Sequence, residues 1–212
     1  MLSYLYRFAI YFAGIIVISY GISLTIGANL GVLPWDVFHL GLAKQTPLTT
    51  GMAMILTGVL LVGTTVVLTK SIPKIGTILN MIFVGVFVDL FFNLNLVPSP
   101  DEPMFQYIIL LLGILVLCFG SGMYIAPNLG AGPRDGLNLV LAYKTGASIR
   151  LVKTILEVSA LGVGYWLDGP VGIGTVITSV AIGPVFQSSV YLWQNWIKIL
   201  VPTQEVGQHQ KV

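Results

Sequence analysis

Charged side chains are scarce in this sequence: only 8% of the 212 residues are Asp, Glu, Lys or Arg, whereas 56% are hydrophobic. A typical soluble domain carries about 25% charged residues. This composition excludes a soluble globular protein and predicts a membrane protein, because the apolar residues form long blocks. The net charge of +2 arises without a basic patch, so we expect no nucleic-acid partner.

Cysteine and histidine are also rare, with one Cys and two His in the chain. Cys118 has no disulfide partner and lies in an apolar block, where a free cysteine usually packs as a small hydrophobic residue. His39 and His209 stand alone, without the spacing of metal ligands or of a Ser–His–acid site. We therefore predict that the protein is not an enzyme and holds no metal or cofactor.

Long apolar blocks are what the sequence has in abundance. A helix that crosses a hydrocarbon core of ~30 Å needs about 20 apolar residues, and six blocks approach that length. The predicted spans are residues 5–26, 52–68, 75–96, 105–125, 151–167 and 173–197.

Two further stretches, at 34–42 and 133–143, have a helical pattern but are too short to cross. Each follows a break at Gly31 or Gly130 and begins at Pro34 or Pro133. Proline is favoured in the first turn of a helix, and glycine is typical of the break before it. We predict two re-entrant half-helices, each entering and leaving on one side of the membrane.

The distribution of Lys and Arg favours this re-entrant path. With both short stretches re-entrant, nine of the ten basic residues lie on the side of the N-terminus. The opposite side keeps only Lys44, together with Asp101, Glu102 and Asp168. Cytoplasmic loops carry the excess of basic residues in membrane proteins. Both termini are therefore predicted to be cytoplasmic.

The two halves of the sequence resemble each other. NLGVLPWD at 29–36 matches NLGAGPRD at 128–135, with Asn, Leu, Gly, Pro and Asp shared at an offset of 99 residues. After the loss of one residue, IGT at 75–77 matches IGT at 173–175. A shared Pro and Asp at a fixed distance from a shared Asn-Leu-Gly is not expected from low-complexity apolar sequence alone. We infer an internal duplication.

Each half holds three predicted crossings, an odd number, so the second half must begin on the other face of the membrane. The predicted fold is an all-α membrane protein with six transmembrane helices and two re-entrant half-helices, arranged as two inverted-topology 3+3 repeats. The repeats comprise residues 1–100 and 101–200, and a polar C-terminal tail follows at 201–212. Broken helices in matching positions of inverted repeats are the best sequence pointer to a transporter's binding site.

The first turns of the half-helices supply the main candidate substrate-binding residues. Asp36 and Asp135 occupy equivalent positions, where a carboxylate could bind a cation or amine or relay a proton. The alternative is a structural role, since Asp also stabilises the first turn of a helix. Trp35 and Arg134 precede them; Arg134 could contact an anionic group at a helix N-terminus, pair with an Asp, or extend to the membrane interface.

Polar side chains inside the spans complete the candidate site. Asp89 and its repeat partner Gln187 lie deep in the third and sixth spans, and Glu157 lies in the fifth. An ionisable side chain at such depth usually faces the bundle interior or a cavity. For Glu157 the alternative is an ion pair with Lys153, one helical turn away.

The sequence resembles the bacterial YczE/YyaS/YitT family of integral membrane proteins, most closely its YczE-like members. The segments that carry the resemblance are NLG and PWD near residue 30, GAGPRDGLN and GPVGIGT. The resemblance extends from the first span to about residue 190. It implies a multi-pass protein of the bacterial cytoplasmic (inner) membrane. It implies neither a substrate nor catalytic residues.

Our leading hypothesis is a transporter or permease for a small solute, with its site between the two repeats. The second is a non-transporting membrane accessory or assembly factor, and the third is a channel. The expected partners are the lipid bilayer and a small-molecule solute. The sequence allows an oligomer without requiring one.

Overall fold

The computed structural model describes residues 2–200, and within this range the chain forms eight α-helices and no β-strand. The all-helical fold class is confirmed, and each predicted span or half-helix corresponds to one helix. The predicted tail at 201–212 lies outside the described residues. The helices are α1 Leu2–Gly27, α2 Pro34–Gln45, α3 Thr50–Thr69, α4 Ile75–Asn93, α5 Pro103–Ile125, α6 Pro133–Thr145, α7 Ile149–Trp166 and α8 Ile173–Leu200.

Five of the helices, namely α1, α3, α4, α5 and α8, are long and apolar enough to cross a membrane. Large apolar side chains such as Leu60, Leu111 and Val180 are 63%, 54% and 73% exposed. Water would penalise such a surface and lipid accepts it, so the outer face of the bundle contacts the bilayer. Helix α7, the fifth predicted span, has 18 residues and is less apolar because Arg150, Lys153 and Glu157 lie on it.

The two half-helices begin in the same way. Pro34 and Pro133 stand in the first turns of α2 and α6, after an extended residue. Asn29 and Asn128, just beyond α1 and α5, adopt left-handed φ values of +54° and +60°. Asparagine is one of the few residues that tolerates this conformation. The same local chemistry therefore ends the long helix and begins the short one in both halves of the chain.

Helices α1 and α5 pack along each other through small residues. Gly21 of α1 lies against Leu117 of α5, and the equivalent Gly120 of α5 lies against Ile18 of α1. A side chain at either glycine would overlap the facing backbone, so the close approach depends on their small size. Residue numbers rise along α1 as they fall along α5 at these contacts, so the two equivalent helices are antiparallel.

The remaining helix contacts follow the same correspondence between the halves. The pair α1–α4 matches α5–α8, the pair α2–α3 matches α6–α7, and the pair α2–α7 matches α3–α6. The two pairs without an equally developed counterpart are α3–α4 and α4–α6. Most helix contacts in one half of the chain therefore have an equivalent contact in the other half. The first turns of α2 and α6 meet in the interior, where Arg134 contacts Asp36.

Candidate functional site

A cavity of about 230 Å³ lies in the middle of the bundle, and every one of the eight helices contributes to its lining. Ligand sites are usually such clefts, with an apolar lining and a few convergent polar groups. The candidate residues that line it are Trp35, Asp36, Arg134, Asp135 and Glu157. The first turns of the two half-helices thus come together at one cavity.

Asp36 is the most enclosed carboxylate of the site, with 1% of its side chain exposed. Its Oδ1 atom lies 3.5 Å from Nη2 of Arg134 and 3.3 Å from Nδ1 of His39. The Arg134 guanidinium also lies over the Trp35 ring, 5.2 Å from its centroid. Arg134 therefore pairs with the Asp of the other half-helix, and the pair neutralises a carboxylate that would be costly to bury alone.

Three buried polar atoms of the half-helices have no hydrogen-bond partner among the described residues: Asp36 Oδ2, His39 Nε2 and Asn138 Oδ1. All three side chains line the cavity. A buried polar atom left unsatisfied costs about 1–3 kcal/mol. Each of these atoms is therefore an enclosed, unsatisfied polar group on a side chain of the cavity wall.

His39 and Asn138 are functional candidates that the sequence reasoning missed. Each lies three residues after the shared Asp, so it projects from the same helix face. The two positions also share the 99-residue offset of the repeat. The matching segments around Asp36 and Asp135 contained this signal, but a single histidine does not by itself indicate a site.

Asp135 has different surroundings from Asp36. It is half-buried, and the Tyr124 hydroxyl donates to its Oδ2 atom at 3.5 Å. Among residues 2–200, no basic side chain forms an ion pair with it within 4.0 Å. Asp135 therefore lacks the close ion-pair partner that Asp36 has.

Helix α7 brings one ion pair to the cavity wall. Nζ of Lys153 lies 3.8 Å from Oε1 of Glu157, four residues further along the helix. Both residues line the cavity, and their side chains are 53% and 40% exposed. The intrahelical pair expected as the alternative for Glu157 is therefore present at the cavity wall.

Asp89 and Gln187 do not line the cavity. The Asp89 carboxylate accepts a hydrogen bond from the Gly51 backbone N–H at 2.7 Å and another from the Thr49 hydroxyl. It thus caps the start of α3 and ties that helix to α4. Gln187 is exposed on α8.

The predicted breaks divide into two groups. Pro34 and Pro133 line the cavity, whereas Gly31 and Gly130 pack against the backbone of Gly172 and Thr77. The glycines therefore shape the approach to the half-helices, and the prolines lie at the site. Within residues 2–200, no three His, Cys, Asp or Glu side chains are grouped as they would be to hold a metal ion.

Comparison with known proteins adds the family. The chain matches the "Family of unknown function (DUF6198)" over residues 5–189. It is 40% identical over 185 residues to the "Uncharacterized membrane protein YczE" of Bacillus subtilis (strain 168), an alignment that covers 87% of this chain and 85% of that protein.

More distant relatives agree with this assignment. An "Uncharacterized protein" of Haemophilus influenzae is 34% identical over 173 residues, which cover 81% of this chain and 77% of the relative. The "Uncharacterized protein YyaS" of Bacillus subtilis is 28% identical over 173 residues, covering 81% and 86%. No solved structure matches the chain. The resemblance to YczE and YyaS is confirmed, and the chain is a multi-pass membrane protein that belongs to the family of unknown function DUF6198.

Proposed function

We propose that the protein is a transporter or permease for a small solute, which binds in the cavity between the two repeats. The observation that carries this proposal is that repeat-equivalent positions line one cavity from both sides. The equivalent pairs are Asp36 with Asp135, Trp35 with Arg134, His39 with Asn138 and Ile18 with Leu117. A site of this kind, formed by broken helices at a repeat interface, is typical of secondary transporters.

The proposed architecture has six crossings and two re-entrant half-helices in inverted repeats. Its support is the antiparallel packing of α1 on α5 and the path of the chain around α2. Leu30, before α2, accepts a hydrogen bond from the Gly174 backbone at 2.7 Å. Lys44, at the end of α2, pairs with Asp168. Both ends of α2 thus lie beside the loop that joins α7 to α8, as expected for a segment that returns to the side it left.

The orientation that we propose places both termini in the cytoplasm of a bacterial cell, with the chain in the cytoplasmic (inner) membrane. The Lys and Arg distribution supports it. In a Cys118→Ala background, cysteines at Asp101 and Asp168 should react with an impermeant thiol reagent added to intact cells. A cysteine at Lys70 should react only after the membrane is opened. Labelling of the Lys70 position from outside would contradict this orientation.

Movement of one repeat against the other around the cavity is the proposed mechanism. The Arg134–Asp36 contact joins the two half-helices, so the repeats meet at the binding site itself. In this mechanism the repeats adopt two arrangements, and a solute that contacts both half-helices would bind these arrangements with different affinities. A ligand shifts the populations of two conformations only when its affinities for them differ. Catalysis has no part in this proposal, and the polar groups of the cavity serve in binding.

A transport assay with a mixture of solutes tests the proposal. Proteoliposomes are incubated with a mixture of small metabolites, washed and analysed by mass spectrometry for trapped solutes. At least one solute should be taken up faster than by protein-free vesicles, and preloading with that solute should accelerate its uptake, as expected for a carrier. The Asp89→Asn variant is the matched control, because it removes a carboxylate outside the cavity.

The other outcomes of this test point to the alternatives. Uptake that preloading does not accelerate would indicate a channel instead of a carrier. Uptake no faster than by protein-free vesicles, for every solute in the mixture, would contradict transport and favour the accessory or assembly role.

A further inference from the structure

We propose that the second repeat holds a binding site for a small monovalent cation, formed by oxygen atoms of Asp135, Tyr124, Asn80 and Asn138. The inference rests on the proposed transport function, because the cation would be either a coupling ion or the ammonium group of the solute. The shared chemistry is one positive charge surrounded by oxygen acceptors.

Three oxygen atoms converge on one position above Gly132. A Cβ atom built on Gly132 would lie 3.3 Å from the Tyr124 hydroxyl oxygen, 3.4 Å from Asn80 Oδ1 and 3.6 Å from Asp135 Oδ2. Gly132 itself has ordinary extended backbone angles, φ −61° and ψ 157°. Any residue can adopt these angles, so position 132 does not require the conformational freedom of glycine. The absence of a side chain leaves the space between the three oxygens accessible.

An independent observation comes from Asn138, whose residue is 7% exposed. Its Oδ1 atom is buried without a hydrogen-bond partner among the described residues, and its side chain lines the same cavity. It lies three residues after Asp135, on the same face of α6. Asn138 thus adds a buried acceptor without a partner on a side chain that lines the same cavity as the carboxylate of Asp135, the amide oxygen of Asn80 and the hydroxyl of Tyr124. Oxygen atoms of this kind bind hard cations and ammonium groups.

The charges of the cavity lead to the same conclusion. Asp36 is paired with Arg134, and Glu157 is paired with Lys153. Three carboxylates and two bases leave one net negative charge when His39 is neutral, and within residues 2–200 Asp135 is the carboxylate of the cavity without an ion-pair partner within 4.0 Å. An uncompensated charge in a low-dielectric interior is costly, so a cation bound there would be stabilised. A single unpaired carboxylate suits a monovalent ion better than a divalent one.

The equivalent positions of the first repeat lack this arrangement. At the 99-residue offset Leu33 replaces Gly132 and Thr25 replaces Tyr124, and at the 98-residue offset Thr178 replaces Asn80. A leucine side chain takes up the space that glycine leaves accessible, and the equivalent carboxylate, Asp36, already has its own cationic partner. The structure therefore assigns one cation site to each chain.

The purified full-length protein allows a direct test in detergent. Its thermal stability is measured at constant ionic strength in the chlorides of sodium, potassium, methylammonium and N-methylglucamine, the last as a bulky reference cation. A ligand that binds the folded state raises its stability with concentration. At least one small cation should raise the melting temperature saturably above the reference. Sodium or potassium would identify a coupling ion, and methylammonium alone would identify an amine site.

Two variants and one control localise the effect. Gly132→Ala places a methyl group between the three oxygens, and Asp135→Asn removes the charge. Each should weaken the apparent cation affinity by about ten-fold or more, which corresponds to ~1.4 kcal/mol. Asp89→Asn should retain the wild-type affinity, since Asp89 lies outside the cavity.

Equal stability in all four salts would overturn the cation site, and so would an unchanged cation response in Gly132→Ala. If Asp135→Asn fails to fold, Gly132→Ala still decides the question. Solute accumulation in proteoliposomes together with equal melting temperatures in all four salts would reject this site while leaving the transport function intact.

Discussion

The two half-helices begin with nearly the same sequence and end up with different electrostatic roles. Asp36 of α2 is 1% exposed and lies 3.5 Å from Arg134. Asp135 of α6 is half-buried, and in the described part of the chain its carboxylate accepts a side-chain hydrogen bond from the Tyr124 hydroxyl and forms no ion pair within 4.0 Å. One difference between the repeats, Trp35 against Arg134, accounts for much of this. Arg134 of α6 pairs with Asp36 of α2 rather than with Asp135, the next residue along its own helix.

The comparison suggests how a duplicated site divides its roles. The Asp36–Arg134 pair joins the two halves of the chain, whereas Asp135 is the carboxylate that we propose binds a ligand. Substitutions at the two aspartates should then affect different properties, although both residues lie at the same place in the matching segments 29–36 and 128–135. Variants of the Asp36–Arg134 pair should lose much of the free energy of unfolding. Variants of the exposed ion pair on α7 should lose almost none.

Replacing Arg134 with Gln should cause the largest loss of stability. The substitution leaves Asp36 buried without its cationic partner, and breaking a buried pair in this way costs about 3 kcal/mol or more. Unfolding in mixed micelles measures the change in free energy, with the exposed Arg150→Gln as a matched control. A loss no larger than that of the control would mean that Asp36 does not depend on Arg134.

The double variant Asp36→Asn/Arg134→Gln sharpens this prediction. Removing both charges eliminates the unpaired carboxylate, so the double variant should regain part of the stability that Arg134→Gln loses. A double-mutant cycle gives the coupling energy of the pair directly. Additive losses would show that the two side chains act independently.

The two Asp→Asn variants should differ from each other. Asp36→Asn should lower the free energy of unfolding by about 1 kcal/mol, because Arg134 loses a charged acceptor but is 34% exposed and can contact water. Asp135→Asn should lower the free energy of unfolding by less than Asp36→Asn does, because no basic side chain pairs with Asp135 within 4.0 Å in the described chain, and it should abolish most of the solute uptake. Unfolding and proteoliposome uptake are measured on both variants. Full uptake by Asp135→Asn would show that the charge of Asp135 is not needed for transport and that the residue only stabilises the first turn of α6.

The smallest effect is expected at the ion pair on α7. Lys153 and Glu157 are 53% and 40% exposed, so solvent weakens their attraction. Exposed pairs at this spacing contribute ~0.3–0.5 kcal/mol. Lys153→Gln should therefore leave unfolding in mixed micelles nearly unchanged, in contrast to Arg134→Gln. A loss as large as that of Arg134→Gln would show that solvent does not screen the pair at the cavity wall.

Much of the site could be predicted from the sequence because local chemistry determines it. The prolines, the preceding glycines and the shared aspartates predict where α2 and α6 begin. The matching sequences around them predict that both helices contribute to one site, and both line the same cavity. The partner of Arg134 could not be predicted, since it depends on how the two halves meet. Asn80 and Tyr124 were missed because each is a single polar group in an apolar block.

Asp89 shows the opposite limitation. Its depth in the third span suggested a cavity, but its carboxylate hydrogen-bonds to Gly51 and Thr49 at the start of α3. This contact depends on the close approach of Gly51 to Gly85 of α4. The sequence shows that a carboxylate lies deep in a helix, but the facing helix determines what it binds.

Access of water to the cavity from each side of the membrane tests the central claim most directly. In a Cys118→Ala background, Ser121→Cys places a thiol on the cavity wall, and Ser19→Cys places one at a buried position that does not line the cavity. A charged, membrane-impermeant thiol reagent is added to intact cells and to inside-out vesicles. A transporter whose repeats expose the cavity alternately predicts labelling of Ser121→Cys in both preparations and of Ser19→Cys in neither. Absence of Ser121→Cys labelling from both sides would contradict the account.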